Sequence, residues 1–295
     1  MKTLPYQLVQ RGRRLIGRPY RLVRDATERW VDRHLCHSEV AWPHHVIFIA
    51  GLPKSGTTWL AQLLDAVPGY RDRWPRDPDD CVFNHDLCEA AFASLPWDLY
   101  SVVKLHTRFT PTNLAVIEKF KVRTVVMYRD LRDQCVSRYF HVLYDSGHRH
   151  HQYYKEVSKE EGLSHCIEIT LEHYVPWIHG WQPLVAQHPD RFLEVRYEDL
   201  QVDPVKVLTR VLEFYDIRLP EERIAEIVAR TAAKTKFDLR ANLRWRSGTA
   251  RKGIVGDWRN HLTDRHVQRF KDVCGKFLVE LGYEKDMSWT VVSPP

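Results

Sequence analysis

The sequence predicts an α/β fold with three layers, in which a central parallel sheet is covered by helices on both faces. The first observation is HHVIFIAG at 44–51, a short apolar run rich in β-branched residues that indicates a buried strand. The second is that short strands alternate with helical patterns along the chain. The further predicted strands are Ser101–Lys104, Arg123–Tyr128 and Phe192–Arg196, and the predicted helices are Thr57–Val67, Asp130–Leu143, Ile167–Gln187, Pro204–Tyr215, Glu221–Arg230 and Asp264–Leu281.

Length and charge predict one folded domain that carries a basic arm. The 295 residues have a formal net charge of +6, and the first 24 residues contain seven basic side chains and no acidic one. The rest of the chain is therefore nearly neutral, which excludes a broadly basic nucleic-acid-binding protein. We predict an N-terminal arm at 1–45, one domain at 46–284 and a tail at 285–295. The arm is either a short helix or frayed terminus, or an interfacial segment in peripheral contact with anionic lipid.

The cysteines and the apolar runs predict a cytoplasmic protein. The six cysteines form no C-x-x-C pair and are widely spaced, which favours reduced thiols over a disulfide framework. The first residues lack the apolar stretch of a signal peptide. No apolar run approaches the ~20 residues of a transmembrane helix, so membrane association is expected only if the arm binds lipid.

The most informative segment is the loop GLPKSGTTW at 51–59. Between a strand and a helix, such a loop can hold a phosphate with backbone amides at the helix N-terminus. A nucleoside-triphosphate P-loop has a lysine directly after its second glycine, where this chain has Thr57. Its lysine is Lys54, inside the loop, so the segment is P-loop-like but lacks the usual partner set for a triphosphate and magnesium. A P-loop small-molecule kinase and a non-catalytic nucleotide-binding protein are the weaker hypotheses.

The loop resembles the 5′-phosphosulfate loop of the cytosolic-type sulfotransferases, which use 3′-phosphoadenosine 5′-phosphosulfate (PAPS) as donor and release adenosine 3′,5′-bisphosphate (PAP). The resemblance implies a sulfotransferase domain at 46–284 that requires no metal. It also implies that Lys54 neutralises charge on the leaving oxygen and that Trp59 lies against the adenine. The residues whose backbone would hold the 5′-phosphate are Ser55, Gly56, Thr57 and Thr58.

Three further segments resemble the same family. YRDLRDQCVS at 128–137 is similar to the segment whose arginine and serine, here Arg129 and Ser137, grip the 3′-phosphate. Arginine suits this task because its planar fork meets phosphate oxygens bidentately. VRYEDL at 195–200 resembles a strand end whose tyrosine, here Tyr197, lines the adenine pocket. RKGIVGDWR at 251–259 resembles a phosphate-binding segment, and TKF at 235–237 stands where the family has a nucleoside contact; the residues implied are Arg251, Lys252, Gly253, Thr235 and Phe237.

The predicted base is His106, in the segment KLH at the end of the second predicted strand, which is similar to the family's K-T-H. Histidine accepts a proton from a hydroxyl at neutral pH because its unperturbed pKa is about 6.5. The resemblance implies that Lys104 and Lys54 stabilise the sulfuryl and leaving oxygens, while Ser137 holds Lys54 back until the acceptor binds. The reaction expected is in-line attack of an acceptor O–H or N–H on sulfur.

The acceptor and the oligomeric state are not determined by these motifs. Aromatic residues between the motifs favour a small, partly apolar acceptor over a highly charged one, and phenol, alcohol, sterol, amine, lipid and glycan stay open. The family's dimer segment K-x-x-x-T-V-x-x-x-E is matched only partly, by Arg259, Thr263, Asp264 and Gln268. Dimerisation through that segment is therefore uncertain.

Overall fold

A computed structural model describes residues 41–75, 85–241 and 253–291, with side chains omitted at 233–241. It contains a five-stranded sheet in which every pairing is parallel. The strands are β1 (Val46–Gly51), β2 (Arg71–Asp72), β3 (Ser101–Leu105), β4 (Thr124–Tyr128) and β5 (Phe192–Arg196). Their order across the sheet is β2-β3-β1-β4-β5, so β1 lies at the centre. The predicted α/β fold with a central parallel sheet is confirmed.

The sequence of β1 explains its central position. All six of its residues are buried, as expected for a strand covered on both faces. Phe48 and Ala50 point into one apolar core, whereas Ile47 and Ile49 point into the other. Because successive side chains of a strand face opposite ways, this short apolar run supplies both cores and gives the fold its three layers.

Helices cover both faces of the sheet. In chain order they are α1 (Thr57–Asp65), α2 (Glu89–Ala93), α3 (Pro111–Phe120), α4 (Leu131–Tyr144), α5 (His151–Glu156), α6 (Lys159–Ile169), a π-helical turn (Thr170–Tyr174), α7 (Val175–Gln187), α8 (Tyr197–Val202), α9 (Pro204–Phe214), α10 (Glu221–Ala241), a 3₁₀ turn (Asp257–Asn260) and α11 (Asp264–Glu280). The sequence analysis did not identify β2, α2, α3, α5 or α8. Most of these are too short to show a hydrophobic period.

One predicted helix, Ile167–Gln187, differs clearly from the structure. The chain is already helical from Lys159, because Ser158 and Glu161 form a reciprocal capping box at the start of α6. The π-helical turn then separates α6 from α7. Such turns insert an extra residue into a helix and are frequent at functional sites.

The C-terminal region is joined to α4 through the side chain of Arg132. Its guanidinium lies between two indole rings, 4.1 Å from the centroid of Trp258 and 4.5 Å from that of Trp289. The same group forms ion pairs with Asp130, at 2.6 Å, and Glu284, at 2.5 Å. Trp289, which the sequence assigned to the tail 285–295, is therefore packed against the domain.

The structure also bears on the predictions about membrane-spanning helices, the cysteines and the N-terminal arm. Among the described residues, no helix is both long and apolar enough to cross a bilayer. Cys88 is disulfide-bonded, which differs from the expected set of reduced thiols, whereas Cys135, Cys166 and Cys274 are free and buried. Of the predicted arm at 1–45, only residues 41–45 belong to the described part of the chain.

Replacing Arg132 with methionine should destabilise the fold strongly. The substitution keeps an unbranched stem between the two indoles but leaves the carboxylate of Asp130 without its bidentate partner. Removing one member of a buried ion pair costs about 3–5 kcal/mol. The free energy of unfolding, measured by chemical denaturation, should fall by this amount.

The matched control is Arg269→Met. Arg269 pairs with Glu168 at 2.7 Å, but both side chains are about half exposed. An exposed pair contributes roughly 1 kcal/mol or less. Equal losses of stability in the two variants would contradict the importance assigned to burial of the Arg132 cluster.

Candidate active site

Four strand ends meet at one edge of the sheet. Because β1, β3, β4 and β5 are parallel, their carboxyl ends share that edge. β1 lies at the centre, and later strands of the chain are added on both sides of it: β3 on one side and β4 on the other. Ligands of open α/β sheets bind in the crevice outside such a switch point. The loop after β1, the Lys104–His106 segment, Arg129 and Tyr197 are all brought to this place.

The loop after β1 presents backbone amides. Lys54 and Gly56 both adopt left-handed conformations, with φ of +66° and +80°. Gly56 is the N-cap of α1 and contributes no side-chain cap. The first backbone bond to it comes from Trp59, so the amides of Thr57 and Thr58 precede the intrahelical ladder. A helix start with amides exposed in this way is an anion-binding element.

Tyr197 links the loop to the end of β4. A Cβ built on Gly56 would lie 2.4 Å from the Tyr197 ring, so only glycine permits this approach. The guanidinium of Arg129 lies over the same ring, 4.2 Å from its centroid. Gly253 comes close as well, since a Cβ built there would be 3.6 Å from the Tyr197 hydroxyl. The ring therefore contacts or approaches three of the predicted binding segments.

Buried polar atoms at this edge lack partners among the described residues. They include the Ser55 hydroxyl in the loop and the Nε of Arg129 at the end of β4. Both residues are at least nine-tenths buried. A buried donor without a hydrogen bond costs about 1–3 kcal/mol, so an incoming group that accepts from these atoms recovers that free energy.

Asp133 fixes Arg129 and the segment that follows Gly253. Its carboxylate accepts from the backbone amides of Gly256, at 2.7 Å, and Trp258, at 2.9 Å. It also pairs with Arg129 at 3.2 Å. Burial raises the pKa of Asp133, whereas Arg129 opposes that shift. One carboxylate thus connects Arg129 to the predicted phosphate-binding segment 251–259.

The lysines of the site are close enough to influence each other. Burial lowers the pKa of Lys54 to about 8, and the positive charges of Arg129 and Lys104 lower it further. Burial also lowers the pKa of Lys104. Asp145 acts in the opposite direction on Lys54, and Asp72 does so on Lys104. The site is therefore predominantly positive.

His106 is held in one tautomer. Ala50 pairs with Leu105 in the β1–β3 register, and the next pair brings His106 beside Gly51. The Nδ1 atom of His106 lies 2.8 Å from the Gly51 carbonyl. A carbonyl can only accept, so Nδ1 carries the proton and Nε2 keeps a lone pair. Burial, followed by the charge of Lys104, lowers the pKa of His106 to about 3.

The structure describes the remaining predicted residues to different extents. Ser137 is half-buried on α4, and Trp59 is partly buried on α1 against one core. Thr235 and Phe237 lie in α10, where side chains are not described. Arg251 and Lys252 lie outside the described residues, although Gly253 is placed beside the site.

Sequence reasoning missed several residues of this edge. Asp133 and Gln134 lie inside the motif 128–137, but their partners are far away in the chain and no local pattern indicates them. Asp145 directly follows α4 and was not singled out, although its charge acts on Lys54. Within the described ranges, no group of three or more His, Cys, Asp or Glu side chains is arranged to hold a metal ion.

The chain is similar in sequence to known proteins. The family model described as the sulfotransferase domain matches residues 44–285. Sulfotransferase 2B1 of Mus musculus is 29% identical over 257 residues, covering 77% of this chain and 69% of the relative. Sulfotransferase 1A1 of Bos taurus is 25% identical over 261 residues, covering 78% of this chain and 82% of the relative.

A solved structure shows the same fold. Mouse sulfotransferase SULT7A1, crystallised with PAP, superposes with a TM-score of 0.61 at 19% identity, covering 80% of this chain and 88% of the other. The family match spans most of the chain and includes every segment at the carboxyl edge of the sheet. This protein belongs to the sulfotransferase family, whose members are transferases of sulfate.

Proposed function

We propose that this protein transfers a sulfuryl group from PAPS to a hydroxyl, or an amine, of a small and partly apolar acceptor. The observation that carries the proposal is the pair of buried donors, the Ser55 hydroxyl and the Arg129 Nε, that lack partners among the described residues. They lie at the ends of adjacent strands, β1 and β4. A nucleotide with phosphate groups on both its 5′ and 3′ positions would bring one anion to each of these two strand ends.

The donor's 5′ end would bind at the loop. The amides of Ser55 to Thr58 lie at the start of α1, and Lys54 adds a positive charge within the same loop. The 3′-phosphate would bind Arg129, Ser137 and the segment Arg251–Gly253. The adenosine would lie among Trp59, Tyr197, Thr235 and Phe237. When bound, the donor supplies the sulfuryl group and leaves as PAP.

His106 is proposed as the general base. Its Nε2 lone pair takes the proton of the acceptor, while Nδ1–H stays on the Gly51 carbonyl and orients the ring. In the absence of a ligand, the low pKa of His106 keeps its imidazole neutral at pH 7. An anion bound beside Lys54 and Lys104 offsets their charge, which raises the pKa of His106 and makes it a stronger base when it is needed.

Lys54 and Lys104 are proposed to stabilise the charge that develops on the leaving and sulfuryl oxygens. Positioned cations of this kind replace solvent that would otherwise have to reorganise during transfer. We propose that these side chains make a metal unnecessary, as the displaced lysine of the loop suggests. Ser137 is proposed to restrain Lys54 until the acceptor is bound.

Replacing His106 with alanine should abolish transfer while leaving nucleotide binding intact. A positioned general base contributes about 10²–10⁴-fold to the rate. Turnover with radiolabelled PAPS should fall by that factor, while the Kd for PAP changes by less than about threefold, since PAP carries no reacting sulfuryl group. His179→Ala is the matched control, because His179 stacks on Phe277, which belongs to an apolar core rather than to the predicted site. Near-normal turnover in His106→Ala would remove His106 from this role.

The pH profile should show the titration of Lys54. The charged ammonium is the active form, so kcat/KM for PAPS falls as the pH rises through about 8, the lowered pKa of Lys54. No loss is expected between pH 8 and pH 5 from His106, whose pKa of about 3 lies below that window. The basic limb of kcat should lie at higher pH, because bound donor raises the pKa of Lys54.

Lys54→Arg is the test of that assignment. A guanidinium stays protonated, so the limb near pH 8 should disappear from kcat/KM and from the affinity for PAP measured by calorimetry. An unchanged limb in this variant would assign the titration to another group.

Nucleotide preference should distinguish a sulfotransferase from a kinase. In EDTA, PAP at 100 times its Kd should stabilise the protein by about 2.7 kcal/mol in a thermal-shift assay, and ATP should not. Arg129→Lys keeps the charge but loses the planar fork, so PAP affinity should fall about tenfold while AMP affinity is unchanged. Magnesium-dependent stabilisation by ATP would favour the kinase.

A further inference from the structure

Gln134 is a buried amide in the first turns of α4 that contacts the phosphosulfate loop. The side chain is fully buried. Its Nε2 donates to the carbonyl of Pro53 at 3.0 Å, 81 positions earlier in the chain. Its Oε1 accepts from the hydroxyl of Thr170 at 3.3 Å. Burying an amide is unfavourable unless it is hydrogen-bonded, so the contact with Pro53 stabilises this side chain here. Thr170 shares its single hydroxyl proton between Gln134 Oε1 and a closer backbone carbonyl.

The contact to Pro53 acts directly on the backbone of Lys54. The Pro53 carbonyl belongs to the peptide plane that precedes Lys54, and φ of Lys54 measures rotation relative to that plane. Lys54 has φ of +66°, a left-handed conformation that costs a non-glycine residue free energy. A hydrogen bond that fixes this plane therefore fixes the direction in which the Lys54 side chain leaves the loop.

Thr170 orients the amide from the other side. It is the first residue of the π-helical turn between α6 and α7. Its hydroxyl is within reach of the Cys166 carbonyl, at 2.9 Å, as well as of Gln134 Oε1. With Oε1 facing Thr170, the NH₂ group of Gln134 faces the loop. The π-helical turn is thus connected through one side chain to the loop.

We propose that Gln134 is a positioning residue for Lys54: it holds the Pro53–Lys54 peptide so that the lysine ammonium points at the oxygen that leaves sulfur. The inference rests on the proposed function, because it gives Lys54 a role in transfer. Gln134 itself touches neither donor nor acceptor in this role. Ser137 lies one helical turn further along α4, on the same face of the helix.

The proposed role requires a hydrogen-bond donor, N–H or O–H, on the side chain at position 134. Two variants test this requirement. Gln134→Met keeps the length of the side chain but has no donor. Gln134→Glu has nearly the same shape and donates only while its carboxyl is protonated. For both, kcat with PAPS should fall about 10- to 100-fold at pH 8, with less than about threefold change in the Kd for PAP, since most loop amides are unaffected.

The pH dependence distinguishes positioning from a loss of stability. The ratio of kcat in Gln134→Glu to kcat in the wild type should rise as the pH is lowered through the pKa of the new carboxyl, because the protonated acid restores the donor. The same ratio for Gln134→Met should stay flat. The flat ratio of Gln134→Met, which adds no charge, is the reference against which the Gln134→Glu ratio is read.

Two controls complete the experiment. Val207→Ala removes apolar volume from α9, in the core on the far side of the sheet from α4, and lowers stability without touching the loop. Its kcat at a temperature well below unfolding should equal that of the wild type. Thr170→Val keeps Gln134 in place but removes the group that orients it, so kcat should fall less than in Gln134→Met. This variant serves if Gln134→Met does not fold.

The outcomes separate this inference from the proposed function. If the wild type transfers no sulfuryl group to any acceptor, the proposed function fails. If the wild type is active and Gln134→Met keeps its kcat, or if the Gln134→Glu ratio does not change with pH, the positioning role of Gln134 is wrong. A loss of PAP affinity equal to the loss of kcat would likewise overturn it, because Gln134 would then shape the binding loop as a whole.

Discussion

Repulsion among buried cations is the constraint on which the carboxyl edge of the sheet depends. Lys54, Lys104 and Arg129 come from the ends of three adjacent strands, because β1 lies between β3 and β4. Burial in such a cluster disfavours positive charge, as the lowered pKa of Lys54 records. An anion placed among these groups would relieve both burial and repulsion. The fold thus builds an unfavourable arrangement that an anionic ligand converts into a favourable one.

Contacts outside the cation cluster hold its segments in place. Asp133 holds Arg129 and, through two backbone amides, the 3₁₀ turn at Asp257–Asn260. Arg132 joins the same helix to the C-terminal region through two indoles and two carboxylates. The Trp177 indole donates to the Thr107 carbonyl at 2.6 Å and anchors the segment next to His106. Rigid support of this kind is what a preorganised charged site requires.

Much of this could be predicted from sequence where the signal is local. The strand β1, the loop after it and the positions of Lys54, His106 and Arg129 at strand ends follow from short patterns. The early start of α6 also has a local signal, because Ser158 and Glu161 have the spacing of a capping box. By contrast, the contacts of Gln134 with Pro53 and of Trp289 with Arg132 join residues far apart in the chain. Such contacts depend on tertiary packing, and no spacing rule reveals them.

The ring of Tyr197 has a consequence for how the site responds to change. One face carries the guanidinium of Arg129, and its edge closes on Gly56 in the loop. The two predicted anion-binding halves are therefore connected through a single aromatic side chain. A shift of that ring disturbs both halves together, so the free-energy effects of substitutions on opposite sides of it should not add.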